Sequence, residues 1–422
     1  MTPGGAAPSG TLQRRLGVRE AVVVGAGSMI GAGVFTVWSP AAAAAGTGLL
    51  VGLAIAGLVA YCNATSSAQL AAVHPHSGGT YVYGRRQLGH AWGHLAGWGF
   101  VVGKTASCAA MALTVGAYLW PERERPVAVA AVALITLVNI GGLTRTVAVT
   151  RVLLAVSLTA LAGVMIAGWS RGDATLDRIV PVETDLFGIL RSAGFLFFAF
   201  AGYARIATLG EEVRHPAVTI PRAIPRALGF VLVAYALVAV TALATVDVSA
   251  LAATDAPLRL VTDAAGGGDL PAAVVRGGAG VAALGVLLNL IPGVSRTTLA
   301  MARERDLPRW FAHVDARRSL PVRAELAVSI VVIALVLLLD LRNAIAVSGV
   351  AVLTYYFVTN AAALTLRPDQ RRWPRWVAMV GLVGCAVLVA SLPWEALLGG
   401  GIVLTLGVLV RLLAPTPPAP FA

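Results

Sequence analysis

The chain has 422 residues, of which 58% are hydrophobic and only 12% charged, and its mean hydropathy is +0.81. A soluble protein carries about twice that share of charge and cannot hide so much apolar surface. The composition therefore excludes a cytosolic enzyme, a disordered chain, a disulfide scaffold and a secreted β-protein, and fits an all-α integral membrane protein. The formal net charge is +12, but the basic residues are scattered through short loops and form no stripe of the kind that binds nucleic acid. The three cysteines, Cys62, Cys108 and Cys385, sit apart inside apolar segments, as small core hydrophobes do. Residues 1–19 are polar and Gly/Pro-rich with no separate apolar stretch, so the first span is expected to serve as the insertion signal.

Apolar runs, cut at charges, prolines and glycine clusters, predict twelve transmembrane helices. Their limits are 20–44, 48–72, 91–119, 126–141, 147–169, 187–209, 226–246, 272–300, 324–340, 343–366, 376–392 and 396–413. The span at 126–141 is short, and the pair within 376–413 is the least sharply divided. The longest loops, 247–271 and 301–323, leave no room for a soluble domain, so 1–422 is one transmembrane unit. With the N-terminus inside, 21 arginines fall on the cytoplasmic side and six outside: Arg123, Arg125, Arg171, Arg178, Arg259 and Arg342. That bias places both termini in the cytoplasm. Trp92, Trp120, Trp169, Trp376 and Trp394 fall near span ends, as interfacial belts require.

The first span contains Gly25, Gly27, Gly31 and Gly33 around Ser28, Met29 and Ile30. A dinucleotide fingerprint would need an acid about 20 residues further on, and no Asp or Glu occurs between Glu20 and Glu122. Two readings remain. Gly27 and Gly31 can let helices pack closely, or the glycines mark a helix broken at bilayer depth, which is tolerated where it lines a cavity. A half-helix starting near Ala32 would aim its amides and positive dipole end at an anion. The sixth span carries a second interruption around Gly194 to Gly202, five spans later. Interruptions at matching places in two halves point to a transporter site and to an inverted repeat of five plus five helices.

Several segments, in this order, resemble the amino acid–polyamine–organocation (APC) permeases: Gly27-Ser-Met-Ile-Gly-Ala-Gly-Val-Phe35, His74 to Tyr83, Gly97-Trp98, Phe197 to Tyr203, Glu211 to Pro216, Ile220 to Ile224, and Ser295 to Arg303 with Leu307-Pro308. The resemblance implies the LeuT-like, or APC, fold. Repeat one would be 20–169 (helices 1–5), repeat two 187–366 (helices 6–10), and 376–413 two extra C-terminal helices, with helices 1 and 6 broken. It implies a secondary active transporter that moves amino acids across the cell membrane by alternating access. The amides of Gly31, Ala32 and Gly33 would hold the substrate carboxylate. The carbonyls of Met29, Phe198 and Ala201 would hold the ammonium, next to Gly202, with the Phe198 ring as cover. A zwitterion in a dry site needs donors at one end and acceptors at the other, which agrees.

Lys104 is the only lysine in the chain, against 31 arginines, and lies near the middle of span three. A charge there costs about 2.5–3.5 kcal/mol on insertion scales and should face a cavity or partner. It reads as a contact for an anionic substrate group, a proton-coupling group, or a structural cation on the broken helix; a snorkelling lysine would lie closer to an interface. Many APC permeases carry a lysine midway along helix five, where related transporters hold sodium; here that position is Ser157. Either Lys104 substitutes for it, or Ser157 with Ser295 helps hold Na⁺, so Lys104, Ser157 and Ser295 are the coupling candidates. Ala204 stands where many relatives have a carboxylate, which argues against a proton switch at that point.

Arg205 and Arg296 lie toward the cytoplasmic ends of their spans. They could pair with Glu211, Glu212 or Glu304 as an inner gate, or reach the headgroups. His90 and His94 have helical spacing, but the sequence puts no acid or cysteine beside them, and no metal site is expected. No catalytic residue and no cofactor are expected. The partners are an amino acid, H⁺ or Na⁺ as coupling ion, and the lipid bilayer, with no nucleic acid and no obligatory protein partner. An exporter or exchanger, or a carrier of polyamines or organic cations, is the alternative. A membrane-embedded enzyme would need a central acid, and a receptor an output domain. A cationic pocket around Lys104 favours neutral or acidic substrates.

Overall fold

The computed structural model describes residues 16–31, 33–74, 78–141, 147–170, 174–179, 185–207, 213–266, 268–315 and 320–413. Within them the secondary structure is helical, apart from two isolated β-bridges, Leu16 to Val213 and Asp315 to Leu320. In hydrocarbon a helix satisfies its backbone polar groups within the segment, so apolar runs of this length fold as helices.

The first apolar segment divides into α1 (Val18–Met29), α2 (Gly33–Thr36) and α3 (Trp38–Ala45). There follow α4 (Leu49–Val73), α5 (Thr80–Gln87), α6 (His90–Leu119), α7 (Glu124–Ile140) and α8 (Val147–Ser170). The sixth segment comprises α9 (Leu186–Phe200), a 3₁₀ turn at Ala201–Tyr203, and α10 (Ala204–Ala207). Next come α11 (Pro216–Thr245), the short α12 (Val248–Ala252) and α13 (Pro257–Ala264), then α14 (Asp269–Arg303). The last four are α15 (Val322–Leu338), α16 (Leu341–Leu364), α17 (Arg375–Ser391) and α18 (Trp394–Leu413).

Among the described residues, nine segments are long and apolar enough to cross a membrane, while α7, α15 and α17 are 17-residue helices. The expected limits lie within a few residues of these ends, with one exception. The seventh segment starts at Pro216, ten residues before the expected 226, and runs through Pro221 and Pro225. Pro216 sits in the first turn, where its missing N–H costs nothing. The charges at Arg222 and Arg226 extend the helix beyond the apolar run instead of ending it; at 30 residues it is about 45 Å long.

The most enclosed span is α6: 83% of its apolar window is buried, against 17% for α18 at the edge. It packs on α14, α16, α7 and α15, so its residues reach the middle of the bundle. The side chain of Tyr118 pins its far end. Its hydroxyl donates to the Phe35 carbonyl and accepts the Leu258 N–H at 3.2 Å, while Arg276 donates to the Tyr118 and Leu119 carbonyls at 3.2 and 2.9 Å.

Gly116 shows how tightly this end is packed, because a Cβ there would run into the backbone of Glu124. Gly277, exposed on α14, has nothing within 4 Å. Gly116→Ala is expected to cost about 1–3 kcal/mol through overpacking, whereas Gly277→Ala should gain up to about 1 kcal/mol of helix propensity. Thermal unfolding of the two purified variants checks this; equal midpoints would contradict the packing.

Candidate functional site

The interruption in the first segment is a backbone turn. Ile30 has φ −78° and ψ 66°, and the Gly31 N–H donates to the Met29 carbonyl at 2.8 Å, which together make an inverse γ-turn. Ser28 donates its hydroxyl to Val24 O at 2.8 Å, one of the local bonds that settles a weakened helix end. The helix resumes at Gly33 and continues through Val37, which is itself helical, into α3. Its first amides have no partner within the helix.

The 3₁₀ turn Ala201–Tyr203 lies against the end of α1. A Cβ on Gly202 would fall on the carbonyl of Ser28, so only glycine lets the two backbones meet there. Gly33 lies against α9 in the same way, where a Cβ would be 3.1 Å from Ala199 Cα and 3.5 Å from the Phe198 ring. Phe198, Met29 and Ala201 are buried here.

Side chains from three other helices bind this junction. Tyr235 of α11 points its hydroxyl at Met29 O (2.7 Å) and Ala199 O (3.1 Å), joining both interrupted segments. The Ala201 carbonyl accepts from Lys104 Nζ on α6 at 3.3 Å and from the Tyr356 hydroxyl on α16 at 3.2 Å. Met29 O thus takes two donors, Gly31 N–H and Tyr235, and Ala201 O takes two as well. A carbonyl has two lone pairs, so both acceptors are saturated. Phe198 O accepts the Ala201 N–H. Aromatic rings enclose the junction: Tyr203 stacks on Tyr356 with centroids 5.0 Å apart, and Phe200 lies 5.1 Å from Tyr235.

The structure therefore brings together Met29, Gly31, Gly33, Lys104, Phe198, Ala201 and Gly202. Ala32 lies outside the described residues. Lys104 is buried, and among the described residues no carboxylate pairs with it. Ser157 and Ser295 are not brought together. Each donates to the carbonyl four residues back in its own helix, Leu153 O at 2.9 Å and Ile291 O at 2.8 Å. Close contacts of Gly278 with Ala160 and of Gly285 with Leu153 fix the register of α8 on α14. In that register Ser295 lies roughly four turns, about 21 Å, along α14 from the level of Ser157.

Tyr235 and Tyr356 escaped the sequence reading. Their signal was a tyrosine hydroxyl in mid-span, which in hydrocarbon must find an acceptor.

A second polar group forms at the start of α6. Asp306, just beyond α14, is 2% exposed and accepts the Tyr81 hydroxyl at 2.7 Å. Arg85 lies 3.7 Å from it and pairs with Glu304 at 2.9 Å. His90 and His94 lie 3.4 and 3.6 Å from Asp306. The acid that the sequence did not put beside the two histidines is thus supplied from 212 residues beyond His94. Glu304 pairs with Arg85 and not with Arg205 or Arg296; Glu211 and Glu212 lie outside the described residues. Burial works to raise the Asp306 carboxyl, but hydrogen bonds from His94 and Tyr81 and the charges of the two histidines hold it below the usual carboxylate range. Among the described residues, no group of three or more His, Cys, Asp or Glu is placed to hold a metal ion.

Residues 16–403 match the model of the family described as Amino acid permease. The chain is 57% identical over 398 residues to an uncharacterized transporter of Mycobacterium tuberculosis, covering 94% of this chain and 90% of that one. It is 28% identical over 380 residues to the chloroplastic cationic amino acid transporter 7 of Arabidopsis thaliana, covering 83% and 65%. It is also 24% identical over 443 residues to the branched-chain amino acid permease BcaP of Bacillus subtilis, covering 97% and 95%.

The junction depends on Tyr235, whose single hydroxyl hydrogen is shared between the Met29 and Ala199 carbonyls, so that its removal takes their side-chain donor from a buried site. Tyr235→Phe is expected to destabilise the protein by about 1–3 kcal/mol and to speed amide exchange at Ile30 and Gly31. Unchanged exchange at those two amides would contradict the role given to the hydroxyl.

Proposed function

This chain belongs to the amino acid permease family, and from that premise we propose that it is a secondary active transporter moving amino acids across the cell membrane by alternating access. The observation that supports the reading is the close approach of Gly202 to the Ser28 carbonyl, with the carbonyls of Met29, Ala199 and Ala201 held by side-chain donors from α6, α11 and α16. Side-chain donors can be exchanged for a ligand's donors without unfolding a helix.

The proposed architecture is twelve spans with both termini cytoplasmic. Helices one and six are broken, 20–169 and 187–366 form a five-plus-five inverted repeat, and 376–413 lies outside it. The packing supports the repeat. α1 packs on α11 as α9 packs on α4, α6 on α16 as α14 on α8, and α4 on α16 as α11 on α8. Likewise α6 packs on α7 as α14 on α15, and α1 on α8 as α9 on α16. Each pair maps onto its counterpart when the two halves are exchanged.

In this reading the substrate carboxylate sits at the amides of Gly31, Ala32 and Gly33, where the N-terminal dipole of the helical half favours an anion. The ammonium goes to the carbonyls of Met29, Phe198 and Ala201, beside Gly202, under the Phe198 ring. To reach them it displaces Tyr235 from Met29 O, and Tyr356 or Lys104 from Ala201 O. Lys104 and the two tyrosines thereby keep the breaks satisfied between substrates.

Lys104 also sets the charge of the site. A buried ammonium without a carboxylate partner repels a second cation and attracts an anion, so neutral and acidic amino acids are favoured over cationic ones and polyamines. The distance between Ser157 and Ser295 favours Lys104 over a sodium site shared by the two serines. A lysine can lose its proton when buried, so it suits proton coupling.

Counterflow in proteoliposomes loaded with each amino acid in turn tests the reading. Saturable labelled uptake is expected for a neutral or acidic subset; a flat panel with folded protein would contradict it. Lys104→Ala is expected to shift the preference toward cationic substrates or to change the pH dependence. Unchanged preference and pH profile would remove Lys104 from the site.

A further inference from the structure

The first turns of α1 and the first turns of α11 are joined at two levels. At Gly25 the helices touch, since a Cβ there would be 3.4 Å from the Ala227 side chain. Just before α1, Leu16 forms a parallel bridge with Val213, and the Arg214 N–H donates to Leu16 O at 3.0 Å. In the stretch between these joins the two helices border a groove of about 480 Å³, lined by Val18, Arg19, Val22 and Arg226.

The lining is of two kinds. Val18 and Val22, one turn apart on a face of α1, are apolar and half-buried, whereas Arg19 and Arg226 are exposed. Among the described residues neither guanidinium has a carboxylate partner. Glu20, the acid beside Arg19, is engaged elsewhere: it accepts the Gly17 N–H at 3.0 Å and lies 3.8 Å from Arg151 of α8. Arg226 donates to a neutral group, the Arg222 carbonyl at 3.4 Å, which turns it back toward the start of α11. Arg222 is exposed as well and adds a third positive charge to this end of the helix.

Two guanidinium groups lining one groove repel each other, and an anion shared between them reverses that repulsion. Phosphate suits the place, because guanidinium N–H groups meet its oxygens two at a time. The valines add a second condition. A free phosphate would leave them uncovered, whereas a phosphate that carries an acyl chain fills the charged and the apolar part together. That combination is a phospholipid. The headgroup has to be anionic overall, since the amine of a zwitterionic headgroup would be repelled by the arginines. Basic pockets between transmembrane helices on the cytoplasmic side hold anionic headgroups for the same reason.

We propose that this groove binds one anionic phospholipid, with its phosphate between Arg19 and Arg226 and the start of an acyl chain over Val18 and Val22. This rests on the transporter reading above, which places the start of α1 at the cytoplasmic leaflet. Because α1 ends at the turn at Ile30, it can tilt without the rest of the first segment. A lipid that touches both α1 and α11 binds the docked position of α1 more tightly than a tilted one, and so shifts the equilibrium toward it. The same α11 carries Tyr235, the donor to Met29 O at the end of α1, so the lipid and the tyrosine hold the two ends of one short helix.

The experiment is thermal unfolding of the purified full chain in a neutral detergent, with added phosphatidylglycerol, phosphatidylcholine or inorganic phosphate. Phosphatidylglycerol is expected to raise the midpoint saturably, and the other two to leave it nearly unchanged. Arg19→Gln with Arg226→Gln is expected to weaken phosphatidylglycerol binding roughly tenfold, the loss of about one charge-assisted hydrogen bond. Arg86→Gln with Arg309→Gln, which removes two exposed arginines outside the groove, is expected to keep the wild-type response. Either single groove variant decides the matter if the double variant does not fold. Equal responses to the two lipids, a wild-type response in the groove variants, or a response to inorganic phosphate matching that to phosphatidylglycerol would overturn the lipid site. Counterflow in phosphatidylcholine vesicles with and without phosphatidylglycerol then reads the effect on α1: the wild-type rate is expected to change and that of the groove variant to stay constant. A wild-type rate indifferent to the lipid would overturn the link to α1. No saturable uptake in any vesicle would overturn the transporter reading itself and leave the binding result standing.

Discussion

Backbone polar groups in hydrocarbon have no water to turn to, and that constraint shapes the centre of this molecule. An unbroken helix satisfies it alone. Where α1 ends at Met29 and α9 tightens into the 3₁₀ turn Ala201–Tyr203, the hydrogen-bond ladder changes and its carbonyls need donors inside the protein. The fold meets the need with a γ-turn at Ile30, two mid-span tyrosines and the chain's single lysine. Those donors come from α6, α11 and α16, so the junction also links helices of both halves of the chain. Glycine has a second part in this: at Gly202 only a hydrogen fits between one interrupted backbone and the other.

Much of this was legible beforehand, for reasons that can be traced. The helices were visible because each is a long apolar run, and a membrane leaves no other structure open to such a run. The glycines at 25–33 mark the stretch where α1 ends at Met29, and Gly202 marks the closest approach to it. Lys104 stood out by its uniqueness and depth, and the structure puts it on the carbonyl of Ala201. What stayed hidden needed contacts between distant parts of the chain. Tyr235 and Tyr356 look like ordinary aromatic residues until their hydroxyls are seen to end on Met29 and Ala201. The start of α11 was misjudged because charges at Arg222 and Arg226 look like an end to the span, whereas the helix continues beyond the apolar stretch. The pairing of Ser157 with Ser295 failed on register, which only the packing of α8 against α14 determines.

The two polar groups on α6 differ in how they meet the cost of burial. Among the described residues Lys104 has a neutral acceptor, the Ala201 carbonyl, and no carboxylate partner. Asp306, in contrast, gathers Tyr81, Arg85, His90 and His94, so its charge is compensated within the protein. The first leaves a cation beside the junction, and the second ties α5, α6 and the end of α14 together. Because α6 is the most enclosed span, a movement of α14 or α16 against it is felt at both places.

Amide hydrogen exchange with and without a transported amino acid tests the central claim most directly, since it observes the interrupted backbones themselves. The account predicts that substrate slows exchange at Gly31 and Gly33 and in the 3₁₀ turn Ala201–Tyr203, with little change in the outer helices α17 and α18. Protection confined to other helices, with those amides unaffected, would contradict it.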